Sequence, residues 1–133
     1  MSMEQKTLEE AVHLARKTGI VFLGSADHRG IPHVCAATDL AVVSRKNRFR
    51  LSFWCCPTTS FNTGLNPHVS VVIWDKILDK GYQILGEIRE VSGNGETSPA
   101  VSGRQVERSL LIEIEKILLF KKTPHTDREA GVL

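Results

Sequence analysis

A chain of 133 residues is long enough for one domain with a real core, and its 41% apolar content and ten glycines are those of an ordinary globular protein. Its 17 Lys and Arg stand against 15 Asp and Glu, a net charge of +2 scattered along the sequence, which excludes the basic footprint of a protein that holds nucleic acid or an anionic membrane. Cys35, Cys55 and Cys56 are odd in number and two are adjacent, which suits neither a disulfide framework nor zinc-site spacing and points to a reducing cytoplasm.

The opening "MSMEQKTLEEAVHLARK" is charged throughout and lacks the apolar core of a signal peptide, and no later apolar run is long enough to span a bilayer. The expectation is one soluble, cytoplasmic domain over 1–133. Thr7 and Glu10 form a capping-box pattern, and Leu8, Ala11, Val12 and Ala15 recur at helical spacing, so a first helix is predicted over Thr7 to Thr18. From Gly19 the period becomes that of strands. "GIVFLGSA" and "PHVCAATDLAVVS" read as a hairpin turned by "DHRGI", and "FRLSFWCC" as a third strand stopped by Pro57, which cannot donate to a ladder.

"TTSFNTGL" reads as a short helix closed by Asn66-Pro67, followed by the strand "HVSVVIWD" and, after "KILDK", its partner "GYQILGEIREV". "SGNGETSPAVSG" is the most loop-like segment, followed by a short helix through Glu107. "LLIEIEKILLF" alternates well enough at its centre for a last strand, and the tail over 121–133 has little to bury and is free to move or to lie on a partner. Six strands with short connections and few helices argue for a mainly β fold, a small antiparallel barrel that removes its edges by closing.

Thr58, Thr59 and Ser60 lie at the start of the second helix, where unpaired N–H groups and the helix dipole favour an anion. They fit two readings, an anion cradle or merely an N-cap among them. His28, His33, His68 and His125 have no metal-site spacing, so no metal is expected, and no nucleophile signature is present. Cys55 and Cys56, adjacent on a strand, point to opposite faces, and one of them reads as core.

The order of these segments resembles the pyridoxamine 5'-phosphate oxidase-like family of FMN-binding split barrels. The likeness runs over about residues 7 to 120 and is most specific in Ser60-x-Asn62 ahead of Asn66-Pro67, in "NPHVSVVIWD" and in "KGYQILGEIREV". It implies a six-stranded antiparallel Greek-key split β-barrel, a homodimer with FMN at the subunit interface, and flavin-dependent oxidoreductase activity on an unknown small substrate. It implies a phosphate against Thr58, Thr59, Ser60 and Asn62, and a ring edge against backbone N–H groups of the strand Val34, Cys35, Ala36, Ala37 and Thr38. Trp74, with Trp54 and Tyr82, is a candidate for the ring face, and Gln83 for a bond to the ring or to a neighbouring subunit.

The sequence departs from the family where its oxidases are basic. Cys35, Leu40, Thr58 and Thr59 stand at positions of Arg, Lys, Arg and Lys, which leaves Arg48, Arg50 or Lys80 to compensate. Nothing in "LLFKKTPHTDREAGVL" matches the segment that grips pyridoxamine phosphate, so that oxidation is not expected. A deazaflavin in place of FMN, or a ligand-binding module without catalysis or cofactor, fits the same likeness.

Overall fold

The computed structural model describes residues 3–43, 47–54, 56–92 and 107–126. Helix α1, Met3–Thr18, begins one turn before the expected start. Thr7 is a buried residue inside it and not its cap, and Glu10 receives a hydrogen bond from the Tyr82 hydroxyl at 3.4 Å. Gly19, at φ 68, ends the helix by donating its N–H to the Ala15 carbonyl at 2.8 Å, a left-handed stop that costs glycine little.

Seven strands follow where six were expected: β1 Val21–Ala26, β2 Pro32–Ala36, β3 Asp39–Val42, β4 Arg48–Trp54, β5 His68–Asp75, β6 Lys80–Ser92 and β7 Glu107–Leu119. The extra strand comes from a split. The run over 32–44 was expected as one strand, but the Ala37 N–H bonds the Val21 carbonyl at 2.8 Å while the Thr38 N–H bonds the Ser52 carbonyl at 2.7 Å. The chain thus leaves β1 and joins β4 between two consecutive residues. Strand order is β2-β1-β5-β6-β7-β4-β3 with every pair antiparallel, so the two edge strands are halves of one run and the sheet curls into a split barrel. Glu107, expected to end a short helix, opens β7; the remainder of that loop and helix lies outside the described residues.

Helix α2, Pro57–Leu65, connects β4 to β5. Inward positions of the strands, among them Leu23, Phe49, Leu51, Val71, Ile73, Ile84 and Ile112, form the core with Leu8, Ala11 and Val12 of α1. Each large apolar side chain removed from water there contributes about 1.5–3 kcal/mol. The turn after β5 is built by Asp75, whose Oδ1 accepts from the Ile77 N–H at 2.9 Å and the Leu78 N–H at 3.3 Å.

The first part of the tail is held down. Asp79 accepts from the Lys122 N–H at 2.7 Å, from the Thr123 N–H at 3.0 Å and from the Thr123 hydroxyl at 2.6 Å. The Thr123 hydroxyl first, then the Lys122 N–H, hold the Asp79 carboxyl well below the usual carboxylate range. A depressed carboxyl stabilises above its unfolded value and loses that effect only as pH falls through the folded one. Protection of the Lys122 and Thr123 amides from hydrogen exchange is therefore expected to persist as pH falls through the ordinary Asp range. Asp79→Asn, which keeps the left-handed backbone accessible, is expected to speed their exchange; unchanged rates would assign the hold to Phe120 instead.

Close backbone approach makes a second prediction at β6. A Cβ on Gly81 would run into the Ile73 carbonyl and sit 2.9 Å from the Trp74 Cα, both backbone atoms that cannot swing aside. Gly81→Ala is expected to destabilise the protein by about 1–3 kcal/mol, the range of overpacking, read as a lower thermal midpoint. Gly64→Ala, in open space within α2, is the control expected to leave it unchanged or raised.

Candidate functional site

Helix α2 starts differently from the expectation. Its N-cap is Cys56, at φ −105 and ψ 122, with Pro57 opening the helix where a missing N–H costs nothing. Because successive residues rotate by about 100°, the three hydroxyls do not share a face. Thr58 is exposed, Ser60 half-buried, and Thr59 wholly buried. Asn62 is also buried and donates its Nδ2 to Ser25 Oγ of β1 at 3.2 Å, while the Thr63 hydroxyl donates to the Thr59 carbonyl at 2.8 Å. Asn62 therefore anchors α2 to the sheet, and the hydroxyls do not assemble into one solvent-facing cradle.

What gathers at this helix end is sulfur. Cys56 Sγ lies 3.3 Å from His33 Nε2 of β2. The Thr59 hydroxyl is buried without a partner in hydrogen-bond geometry, yet it is close enough to Cys35 and Cys56 to lower both thiol pKa values. Burial outweighs it at Cys35 and pushes that thiol up. At Cys56 the balance is reversed. The Thr59 N–H leads, the Thr59 hydroxyl, His33 and the Thr58 N–H add to it, and the thiol comes down to about 7.

The other expected residues divide between the two faces of the sheet. Cys35 points inward and packs against the core. Val34 and Ala36 point outward, and the register runs Ala36, Phe22, Val72, Gln83, Leu118 across five strands of that outer face. The N–H groups of Ala37 and Thr38, expected at a ring edge, are the two already bonded to Val21 and Ser52, and the Thr38 hydroxyl donates to Glu107 Oε2 at 2.8 Å. Gln83 Nε2 donates to Ser70 Oγ at 2.9 Å.

The outer face is apolar where a soluble surface is ordinarily mixed: Val34 is 61% exposed and Phe22 43%. It contains a groove of about 550 Å³ lined by the apolar Ile20, Phe22, Val72, Trp74 and Phe120 and by the exposed Lys76, Lys121 and Lys122. Trp74 stands edge-on to Phe120 at 6.5 Å between centroids, and its Nε1 donates to Asp79 at 3.1 Å, which fixes the indole. Tyr82 is buried against Glu10 and does not reach this face.

The expected basic residues are engaged elsewhere. Arg48 Nη2 pairs with Glu113 at 3.0 Å, Arg50 donates to Ser92 and Ser109, and Lys80 lines a hollow beside α1. The cations that line the groove are Lys76 and the Lys121-Lys122 pair, which the sequence signals only by their position beside Trp74 and Phe120. On another part of the surface His68, Glu87 and Glu115 bring one potential ligand atom each within 4.8 Å of one another, a grouping assembled across three strands that spacing along the chain does not reveal. Arg89 already lies 3.6 Å from Glu87.

No protein-family model matches the chain, and no curated protein sequence does. Solved structures do match. An FMN-binding protein from Syntrophomonas wolfei is 16% identical, with 88% of each chain covered and a TM-score of 0.68. A pyridoxamine 5'-phosphate oxidase-related, FMN-binding protein from Nostoc punctiforme is 9% identical over 94% of this chain and 88% of its own, with a TM-score of 0.67. An F420 reductase is 12% identical over 74% of this chain and 87% of its own, with a TM-score of 0.55. At such identities the likeness is one of fold, and the fold of this chain is that of the pyridoxamine 5'-phosphate oxidase-like split barrels.

Proposed function

We infer that this chain is a flavin-binding protein of the oxidoreductase class that works as a homodimer, with FMN held on the outer face of the sheet. The observation that carries the reading is the groove: an apolar, aromatic floor of Phe22, Val72, Trp74 and Phe120 beneath a rim of three lysines. A flat tricyclic ring suits the floor, and a phosphate dianion suits the rim, since charge-assisted bonds are about twice as strong as neutral ones. The end of α2 fits a phosphate less well, because Thr59 and Asn62 face the interior and its first N–H groups act on the Cys56 sulfur.

A bound flavin supplies hydride or single-electron transfer; the chain supplies the surface that orients the ring and keeps water from one side of it. Trp74 would form part of the floor and the lysines would hold the phosphate. An open groove exposes the other side of the ring, and a second copy laying its own apolar outer face there covers it, which is the reason for the dimer. A fold shared, at low identity, with FMN-binding proteins and with an F420 reductase supports the reading without choosing between FMN and a deazaflavin.

Titration with FMN, followed by desalting and an absorbance spectrum, tests it directly. One retained flavin per chain is expected, with light scattering giving the mass of two chains. Lys76→Gln is expected to weaken binding by about tenfold, the loss of one charge-assisted contact. Val72→Asp should abolish binding while leaving the thermal midpoint close to that of the parent. A colourless protein at high FMN would sink the flavin reading, competition with a deazaflavin identifies the preferred ring, and bound flavin that no donor reduces would make the chain a carrier and not an enzyme.

A further inference from the structure

Cys56 is placed unlike a cysteine that merely fills space. It is only half-buried, it caps a helix of nine residues, and its sulfur lies 3.3 Å from His33 Nε2. The second observation is Thr59. Its hydroxyl is wholly buried, has no partner in hydrogen-bond geometry, and acts on the sulfurs of Cys56 and Cys35. A buried hydroxyl left without a partner is costly, and an anionic sulfur is a far better acceptor than a neutral thiol. Hydroxyl, helix N-terminus and imidazole therefore all favour negative charge at the same atom.

We propose that Cys56, set between His33 and the start of α2 beside the buried Thr59 hydroxyl, is a nucleophilic thiolate that exchanges with low-molecular-weight disulfides and so is a site of reversible covalent modification. The thiolate attacks one sulfur of the disulfide along the S–S axis. A Cys56–S bond forms, the disulfide's own S–S bond breaks, and the other half leaves as a thiolate that takes up the proton Cys56 gave to solvent. No net oxidant is needed beyond the disulfide itself. The inference stands whether or not the groove on the opposite face of the sheet holds a flavin.

The neighbouring thiol provides an internal comparison. Cys35 feels the same Thr59 hydroxyl but points into the core, lacks the helix terminus, and is pushed up by burial. Among the described residues the titratable groups that face Cys56 are His33 and Cys35 of β2, and the first turn of α2 contributes no acidic residue. A thiol near 7 is about half ionised at neutral pH, whereas an ordinary cysteine near 8.5 is only a few per cent ionised, so a rate advantage of about tenfold is expected.

The test uses the full chain carrying Cys55→Ser, so that Cys56 and Cys35 are distinguished in separate peptides by mass spectrometry. Iodoacetamide alkylation of Cys56 is expected to rise with pH about a midpoint near 7 and to outpace Cys35 at least about tenfold at neutral pH. His33→Asn and Thr59→Val, each checked for an intact thermal transition, are expected to move the midpoint upward. Oxidised glutathione is expected to add one glutathione at Cys56, released by a reducing thiol. An ordinary cysteine midpoint, a Cys56 no faster than Cys35, a profile unmoved by both substitutions, or the absence of the glutathione adduct would each overturn the proposal.

Discussion

The fold depends on one change of partner between consecutive residues. Ala37 donates to Val21 on one side of the sheet and Thr38 donates to Ser52 on the other. Without that crossing, the run from Pro32 to Val42 would extend a flat sheet at one edge, and β4 would present an unpaired edge of its own. With it, β2 and β3 terminate the sheet at both ends while remaining covalently joined. The barrel is closed by the chain itself at that point, and hydrogen bonds need not complete the circuit.

Closing the sheet in this way separates two environments. The inner face takes Leu23, Cys35, Val71 and Ile84 into the core, and the outer face is left with Val34, Phe22, Val72 and Trp74. Strand β6 bridges both halves of the barrel over thirteen residues and bends by register shifts at Leu85/Gly86 and Ile88/Glu90. Gly86 lies where Ile112 Cγ2 would be 2.6 Å from any Cβ, so the bend and the absence of a side chain coincide. The same curvature brings the β5–β6 turn under the tail, and Asp79 then fixes both Trp74 and the segment that carries Lys121 and Lys122.

Local chemistry made much of this legible. Asn66-Pro67 and clean alternation mark β5 to the residue, Pro57 marks the end of the strand before α2, and the turn residues mark both hairpins. The split at Ala37 was not legible, because "CAATDLAV" has no breaker and the only sign of it is which distant carbonyl each N–H reaches. The start of α1 is hidden because a Thr and a Glu three apart satisfy a capping pattern even when the helix already runs through them and Thr7 is buried. Adjacency along the chain also says little about which side chains meet. Thr58, Thr59 and Ser60 are adjacent in sequence yet point to different sides, whereas Cys56 and His33 are 23 residues apart and touch.

The helix terminus also explains why neutral residues, where the resemblance implies basic ones, leave no defect there. A helix N-terminus that faces no anion keeps its unpaired N–H groups and a partial positive charge. In this chain the N-cap is itself ionisable, and the Thr59 and Thr58 N–H groups already lower its pKa. A phosphate arriving at the same place would meet a thiolate carrying like charge, so phosphate and ionised Cys56 compete for the same donors. The basic side chains that would favour the phosphate are absent from Cys35, Leu40, Thr58 and Thr59, while three lysines gather at the groove on the other face. Positive potential is thus offered in two places, at the start of α2, where the chain's own sulfur lies, and beside Trp74, where Lys76, Lys121 and Lys122 gather.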